Sequence, residues 1–437
     1  MNRLITLIFL AAVSCFAGAS DNPVSKKKAT VTEGNARFTV LTPEMIRIEY
    51  SPEGKFEDQA TFTVVNRDLP VPAYSKSDDG EYLTIKTDKL SLRYRKGTNP
   101  KCEPASPENL TVTMSLGGKP VIWYPGMKDP RNLRGTYRTL DNNNGDAFRD
   151  RLEEGVVSRS GWAVIDDSPS VTRPDGSRSL AFAPDTAGID WVARRADPNA
   201  LDLYFMGYGH DYKRALKDFT LIAGKTPLPP DYVFGYWYSK YENYTADDFR
   251  NIIKSLKDND INADVMILDM DWHWNGEQGV SDGRGGWTGW SWNTKLIPDP
   301  DALLKDIHDN NLHISLNLHP ADGVAPHEDC YRAMALDLGM DPSKNEAIAW
   351  NLEDKRFARA FFKNIRPLEK QGVDFWWLDW QQYLTSPHVD GLGETFWCNH
   401  VFFNEMKNSR PDRRPLIFHR WGGLGSHRYQ IGFSGDT

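Results

Sequence analysis

The sequence is poor in cysteine, with four in 437 residues. Cys15 lies in an export leader, and Cys102, Cys330 and Cys398 are odd in number and widely scattered. That pattern excludes a disulfide framework or a cysteine metal centre and leaves free or buried thiols. Positive charge is also short: 52 Lys and Arg stand against 60 Asp and Glu, a net charge of -8 with no basic run. Nucleic acid and anionic membrane surfaces are therefore excluded as partners. Long hydrophobic runs are lacking as well. The apolar run 4–13 is too short to cross a bilayer as a helix, so no membrane-spanning segment is expected. What the chain has in quantity is tryptophan, 15 residues. Most belong in a core, while some can offer flat apolar walls suited to the C–H faces of sugar rings.

Residues 1–20 have the build of a signal peptide: Arg3, an apolar core, and Ala17-Gly18-Ala19 as a cleavage site. The alternative is lipidation at Cys15 by lipoprotein processing. Either way the protein is expected to be exported, to the periplasm or beyond the cell. From residue 26 to about 202 the pattern is short and alternating (37–41, 45–50, 60–65, 82–87 and 90–94), with turns rich in Gly, Asp, Asn, Ser and Pro. An N-terminal antiparallel β-sandwich over 21–228 is predicted. The loop Leu140 to Asp146 has the look of a calcium loop, but Gly145 falls where a ligand is needed and no closing Glu follows.

The rhythm changes at Pro229-Pro230. Strands are predicted at 233–237, 263–268, 312–318, 373–378, 415–419 and 429–433. Helices lie between most of them, opening with the capping-box-like Thr245-Ala-Asp-Asp248. This is a (β/α)8 TIM-type barrel over 229–437 with about six strands present, so the expectation is a fragment of a longer polypeptide. Polar residues end the proposed strands: Asp269 and Asp271, His319, Asp379, His419 and Arg420, then Asp436. In such a barrel these ends share one mouth, where chemistry is done. A lone Asp at a strand end is as often a cap. Two carboxylates across a small pocket are a different matter. Asp379 and Asp436 fit the pair that retaining glycoside hydrolysis needs, with carboxyl groups about 5–5.5 Å apart. Asp269-x-Asp271-x-His273 has hard ligands at short spacing. Residues two apart on a strand-to-loop transition need not converge on one ion, and no metal is expected.

Taken together, Trp377-Leu-Asp379-Trp380, Ser434-Gly-Asp436-Thr437, Leu268-Asp269-Met-Asp271-Trp272 and His419-Arg420 with its Gly-rich sequel resemble glycoside hydrolase family 31, the α-glucosidase and α-xylosidase family. The resemblance covers most of 130–437, including Asn132–Asp141 and Gly161–Ser168. It implies a retaining α-glycosidase acting on non-reducing-end α-linked sugars of oligosaccharides, α-glucosyl first. Asp379 is then the nucleophile and Asp436 the acid/base, while Asp269, Asp271, Trp377, His319 and Arg420 bind sugar. No cofactor is needed, because two carboxylates supply nucleophile and proton. Related activities (α-xylosidase, α-galactosidase, transglycosylase, lyase) and a sugar-binding protein without turnover stay open. Trp380-Gln381-Gln382 and the segment 340–354 depart from the family pattern, which bears on sugar identity rather than mechanism.

Overall fold

A computed structural model describes residues 21–135, 152–275, 286–379 and 384–433. The leader, the Asn-rich loop 140–146 and Ser434 to Thr437 with Asp436 lie outside the described residues.

The N-terminal half is built from two five-stranded antiparallel sheets. The first runs β1 (Thr30–Glu33), β2 (Ala36–Thr42), β3 (Met45–Tyr50), β12 (Leu201–Met206), β9 (Ala163–Asp166). The second is a meander of β4 (Ser75–Asp78), β5 (Tyr82–Lys86), β6 (Leu90–Arg95), β7 (Leu110–Leu116) and β8 (Lys119–Trp123). Every second residue of β6 and β7 is buried, as period-two patterning requires. Phe38, Ile46 and Ile48 of the first sheet share one apolar cluster with Leu83, Leu92 and Val112 of the second. A small pair, β10 (Ala181–Ala183) and β11 (Trp191–Ala193), faces the C-terminal half, and helix α1 (Tyr212–Ala223) closes this region.

The predicted strand at 60–65 is not formed. Only Thr61 makes a bridge, to Ala181. The segment is buried on all sides because it joins the two halves: Arg428 donates to the Phe62 carbonyl at 2.7 Å, and the Phe62 ring stacks on Phe396 at 4.6 Å.

In the C-terminal half five parallel strands pair in sequence order: β13 (Trp237–Tyr238), β14 (Val265–Leu268), β15 (His313–Leu318), β16 (Phe375–Leu378), β17 (Ile417–His419). Two of the six expected strands need correction. Residues 231–234 take a helical turn after Pro229-Pro230, so Phe234 is 75% exposed and only Trp237 and Tyr238 join the sheet. The sixth lies beside β17, with the Ile417 and His419 N–H groups donating to the Gln430 and Ile431 carbonyls at 2.8 and 2.9 Å and the Phe433 N–H to the His419 carbonyl at 2.7 Å, but its regular pairing is limited to the bridge of Gly432 to His419. Helices α2 (Ala246–Asp258), α3 (Pro300–Asp309), α4 (Tyr331–Asp337), α5 (Lys355–Gln371) and α6 (Glu394–Ser409) cover the sheet. Thr245 and Asp248 form the anticipated capping box of α2. Asp354 caps α5, which buries Phe357, Phe361, Ile365 and Leu368 and stops at Gly372, whose φ of 135° disfavours any side chain.

Because strand side chains alternate, the register fixes which residues share a layer inside the sheet. Asn317 pairs with Trp377 and Trp377 with Phe418. Two residues further along each strand come His319, Asp379 and Arg420. A one-residue slip in any strand would send its member of this set out among the helices.

Candidate active site

Asp379 follows the last residue of β16, and its N–H donates to the Leu318 carbonyl at 3.0 Å, which continues the ladder to the strand end. Its carboxylate is 6% exposed and is held from two neighbouring strands. Arg420, beyond β17, reaches Oδ1 through Nε at 2.7 Å and through a terminal nitrogen at 2.5 Å. From β15, Asn317 donates to Oδ2 at 2.9 Å and His319 Nε2 lies 3.4 Å from the same oxygen. Burial alone would raise the pKa of this carboxyl. The contacts with His319, Arg420 and Asn317 outweigh it and bring the value down to about 2. Asp379 is thus a fully ionised carboxylate fixed in position.

Asp269, at the end of β14, shows the opposite behaviour. Burial, with the nearby charge of Asp379, pushes it up to about 6, although the Met270 N–H donates to it at 2.8 Å. Two neighbouring carboxyl groups driven apart in this way are the electrostatic signature of divided roles.

The structure brings Asp379, Arg420, His319 and Asp269 together, with Trp377 beneath. The Trp377 ring is 5% exposed and packs against Phe418 at 5.3 Å and Phe433 at 5.1 Å, a floor under the carboxylates. The Arg420 guanidinium lies 4.3 Å over the Phe433 ring. Asp271 is 4% exposed and accepts from the amides of Asn243, at 2.8 Å, and Asn275. His273 is fully buried, which lowers its pKa to about 4, and its Nδ1 sits 2.8 Å from the Trp274 carbonyl. Among the described residues no three His, Cys, Asp or Glu side chains gather as a metal group. Asp436 falls outside the described residues.

Two participants escaped the sequence reading. Asn317 sits in the strand His313–Leu318, and a polar side chain two residues before His319 was the available signal. Trp287 is 39% exposed and presents its ring edge-on to His319 at 5.2 Å. Nothing in the Gly/Trp-rich loop marked which of its tryptophans would stay at the mouth.

The half-barrel of parallel strands carries its carboxylates at the strand ends, where barrel enzymes place their sites, and the comparisons give it a family. Residues 226–437 match the model of the Glycosyl hydrolases family 31 TIM-barrel domain, and the chain belongs to that family. It is 24% identical over 246 residues to an α-xylosidase of Saccharolobus solfataricus, covering 55% of this chain and 29% of that protein. It is 28% identical over 166 residues to the α-xylosidase XylQ of Lactiplantibacillus pentosus, covering 38% of this chain and 19% of that one. The chain thus spans less than a third of either relative. The solved GH31 dextranase of Flavobacterium johnsoniae, complexed with glucose, superposes with a TM-score of 0.57 at 16% identity, over 92% of this chain and 54% of that one. At that identity the likeness shows the fold.

Proposed function

We propose that the protein is a retaining α-glycosidase that removes non-reducing-end α-linked sugars from oligosaccharides, α-glucosyl units first. The observation that carries this reading is the Asp379 carboxylate, ionised and held by Arg420 and Asn317 beside a second carboxyl group of raised pKa. Asp379 attacks the anomeric carbon and forms a glycosyl ester. Asp436 protonates the departing oxygen, then takes a proton from the water that cleaves the ester. The pocket is completed by Asp269, Asp271, His319 and Arg420 as partners for sugar hydroxyls. Trp377 supports the floor, and the exposed face of Trp287 offers a wall for a ring. No cofactor enters this scheme.

The α-xylosidase names of the two relatives described above favour α-xylosyl as the second reading. Release of nitrophenol from α-glucoside and α-xyloside, compared on the full-length polypeptide, separates the two. NMR of the first-formed sugar tests the mechanism: the α anomer is expected, and β product means an inverting enzyme. A protein that binds these sugars without turnover would be a carbohydrate-binding protein instead. We also propose that residues 21–228 are a β-sandwich domain, for which the apolar cluster shared by the two antiparallel sheets speaks. Export is proposed from the leader, and the mass of the mature N-terminus distinguishes cleavage near Ala19 from lipidation at Cys15.

A further inference from the structure

The chain that leaves Asp379 does not run straight into α6. Residues 384–393 fold back on themselves, closed by an antiparallel bridge between Thr385 and Gly393. The Ser386 N–H donates to the Leu392 carbonyl at 2.8 Å, and the Glu394 N–H to the Leu384 carbonyl at 3.3 Å. On one side this hairpin meets the N-terminal half, where the Arg178 N–H donates to the Gly391 carbonyl at 2.8 Å. On the other it closes over three buried oxygen-bearing side chains: Ser386 at 9% exposure, Glu353 at 8% and Glu394 at 1%. The Ser386 hydroxyl accepts from the His388 and Val389 N–H groups at 3.0 and 3.1 Å and donates to Glu353 Oε1. Glu394 lies against Glu353 and Ser386. Among the described residues no amide, ammonium, guanidinium or imidazole donor reaches either oxygen of Glu394 or Oε2 of Glu353.

Among the described residues no cationic group pairs with Glu353 or Glu394. From α6 comes the Cys398 thiol, which burial keeps protonated. From the segment before α5, the Leu352 and Glu353 carbonyls are taken by the indoles of Trp397 and Trp191. Lys355, the next basic side chain, pairs with Asp185, and Arg178 pairs with Asp390. Two ionised carboxylates in contact, out of water and without a counter-charge, are strongly disfavoured. One proton between them removes a charge and supplies the missing O–H donor.

We propose that Glu353 and Glu394 share one proton, that this proton latches the 384–393 hairpin to the starts of α5 and α6, and that its loss frees the hairpin. Any effect on turnover rests on the reading of Asp379 as nucleophile; the latch does not. Burial, then the hydrogen bond and charge of Glu353, push the Glu394 carboxyl up to about 9 from an ordinary 4.5. The folded protein therefore binds a proton that the unfolded chain releases. The associated stability is complete below about pH 4.5, declines as pH rises to about 9, and is flat above.

The latch can be read without substrate, on the full-length polypeptide, from denaturant stability against pH together with hydrogen exchange of residues 384–393. The wild type is expected to lose stability across this window, and the hairpin, corrected for intrinsic exchange, to lose protection as pH approaches 9. Glu394→Gln should lower the number of protons linked to unfolding by one and make hairpin protection independent of pH. Glu353→Gln should do the same and serves if the first variant does not fold. A folded glutamine variant that keeps the wild-type pH slope overturns the proposal. So does a rise in melting temperature with calcium chloride that Glu394→Gln abolishes, because the pair would then hold a cation. An alkaline fall in kcat that Glu394→Gln removes ties the latch to the site. Absence of turnover on every α-glycoside sinks the enzymatic reading and leaves exchange to decide the latch.

Discussion

One strand carries a carboxylate at each end, Asp374 half-buried and Asp379 buried, and they serve as controls for one another. Asp374 precedes β16 and Asp379 follows it. Burial would raise the pKa of both, and in both it is overcome. His308, His313 and the Ile314 N–H hold Asp374 well below the usual carboxylate range, while His319, Arg420 and Asn317 bring Asp379 to about 2. A depressed pKa beside histidine therefore does not locate an active site. The difference lies in what surrounds each group. The partners of Asp374 are structural: His308 at 2.9 Å ties α3 to the sheet, and the Ile314 N–H at 2.9 Å ties β15 to it. Arg410 donates to the Asp374 carbonyl at 2.7 Å. Asp379 instead sits where side chains from consecutive strand ends converge, beside Asp269 with its pKa moved in the opposite direction. In a barrel the first end serves stability and the second chemistry.

The sharpest way to break the comparison is to neutralise each carboxylate in turn. Asp379→Asn should keep the fold and lower turnover by about 10³-fold or more, as losses of a covalent nucleophile do. Asp374→Asn should leave kcat within a few-fold and instead lower stability by about 1–3 kcal/mol, the cost of weakening hydrogen bonds to a charged group. Urea titration and kcat measured side by side decide it, and the reverse pattern would mean that the ends have been assigned the wrong way round.

Asn317→Ala should produce the next largest effect. It removes the 2.9 Å amide contact with Oδ2, and a hydrogen bond to a charged group is worth about 1.5–3 kcal/mol. A fall in kcat/KM of roughly 10- to 150-fold follows if that bond is retained in the transition state. A change in KM alone would show that Asn317 only helps ground-state binding.

Asp269 sharpens the comparison through pH. Raised to about 6, it ionises within the working range. Log kcat/KM should therefore climb with an apparent pKa near 6 if ionised Asp269 is required to accept from sugar hydroxyls. Asp269→Asn should abolish that limb, and an unchanged limb assigns it to another group.

The smallest effect belongs to His308. Its contact with Asp374 raises its pKa above 6.5, so the stability it contributes is complete below about 6.5 and is lost as pH rises through the folded value. The side chain is 37% exposed, so the contribution should stay under about 1 kcal/mol after solvent screening. His308→Gln should flatten stability against pH just above neutrality while leaving the acid limb of Asp374 in place. That limb has the opposite sign: it is present above the ordinary carboxylate pKa and lost as pH falls toward the depressed value.

Local chemistry written in the sequence was enough for much of this protein. The capping box at Thr245, the apolar spacing of α5 and the run 373–378 each specify an element through contacts within a few residues. The carboxylates at the strand ends followed from where those apolar runs stop. Tertiary structure decided what depends on distant neighbours. Residues 233–237 had the composition of a strand, but strand pairing reached only Trp237 and Tyr238. Residues 60–65 alternated like a strand, but their backbone was claimed by Arg428 and Ala181 across the join of the two halves. Asn317, marked in sequence only by its spacing from His319, became a partner of Asp379 once β15 and β16 were in register. The opposed pKa values of Asp269 and Asp379 likewise arise from burial and from groups dozens of residues away in the chain, such as His319 and Arg420, separations that no local pattern encodes.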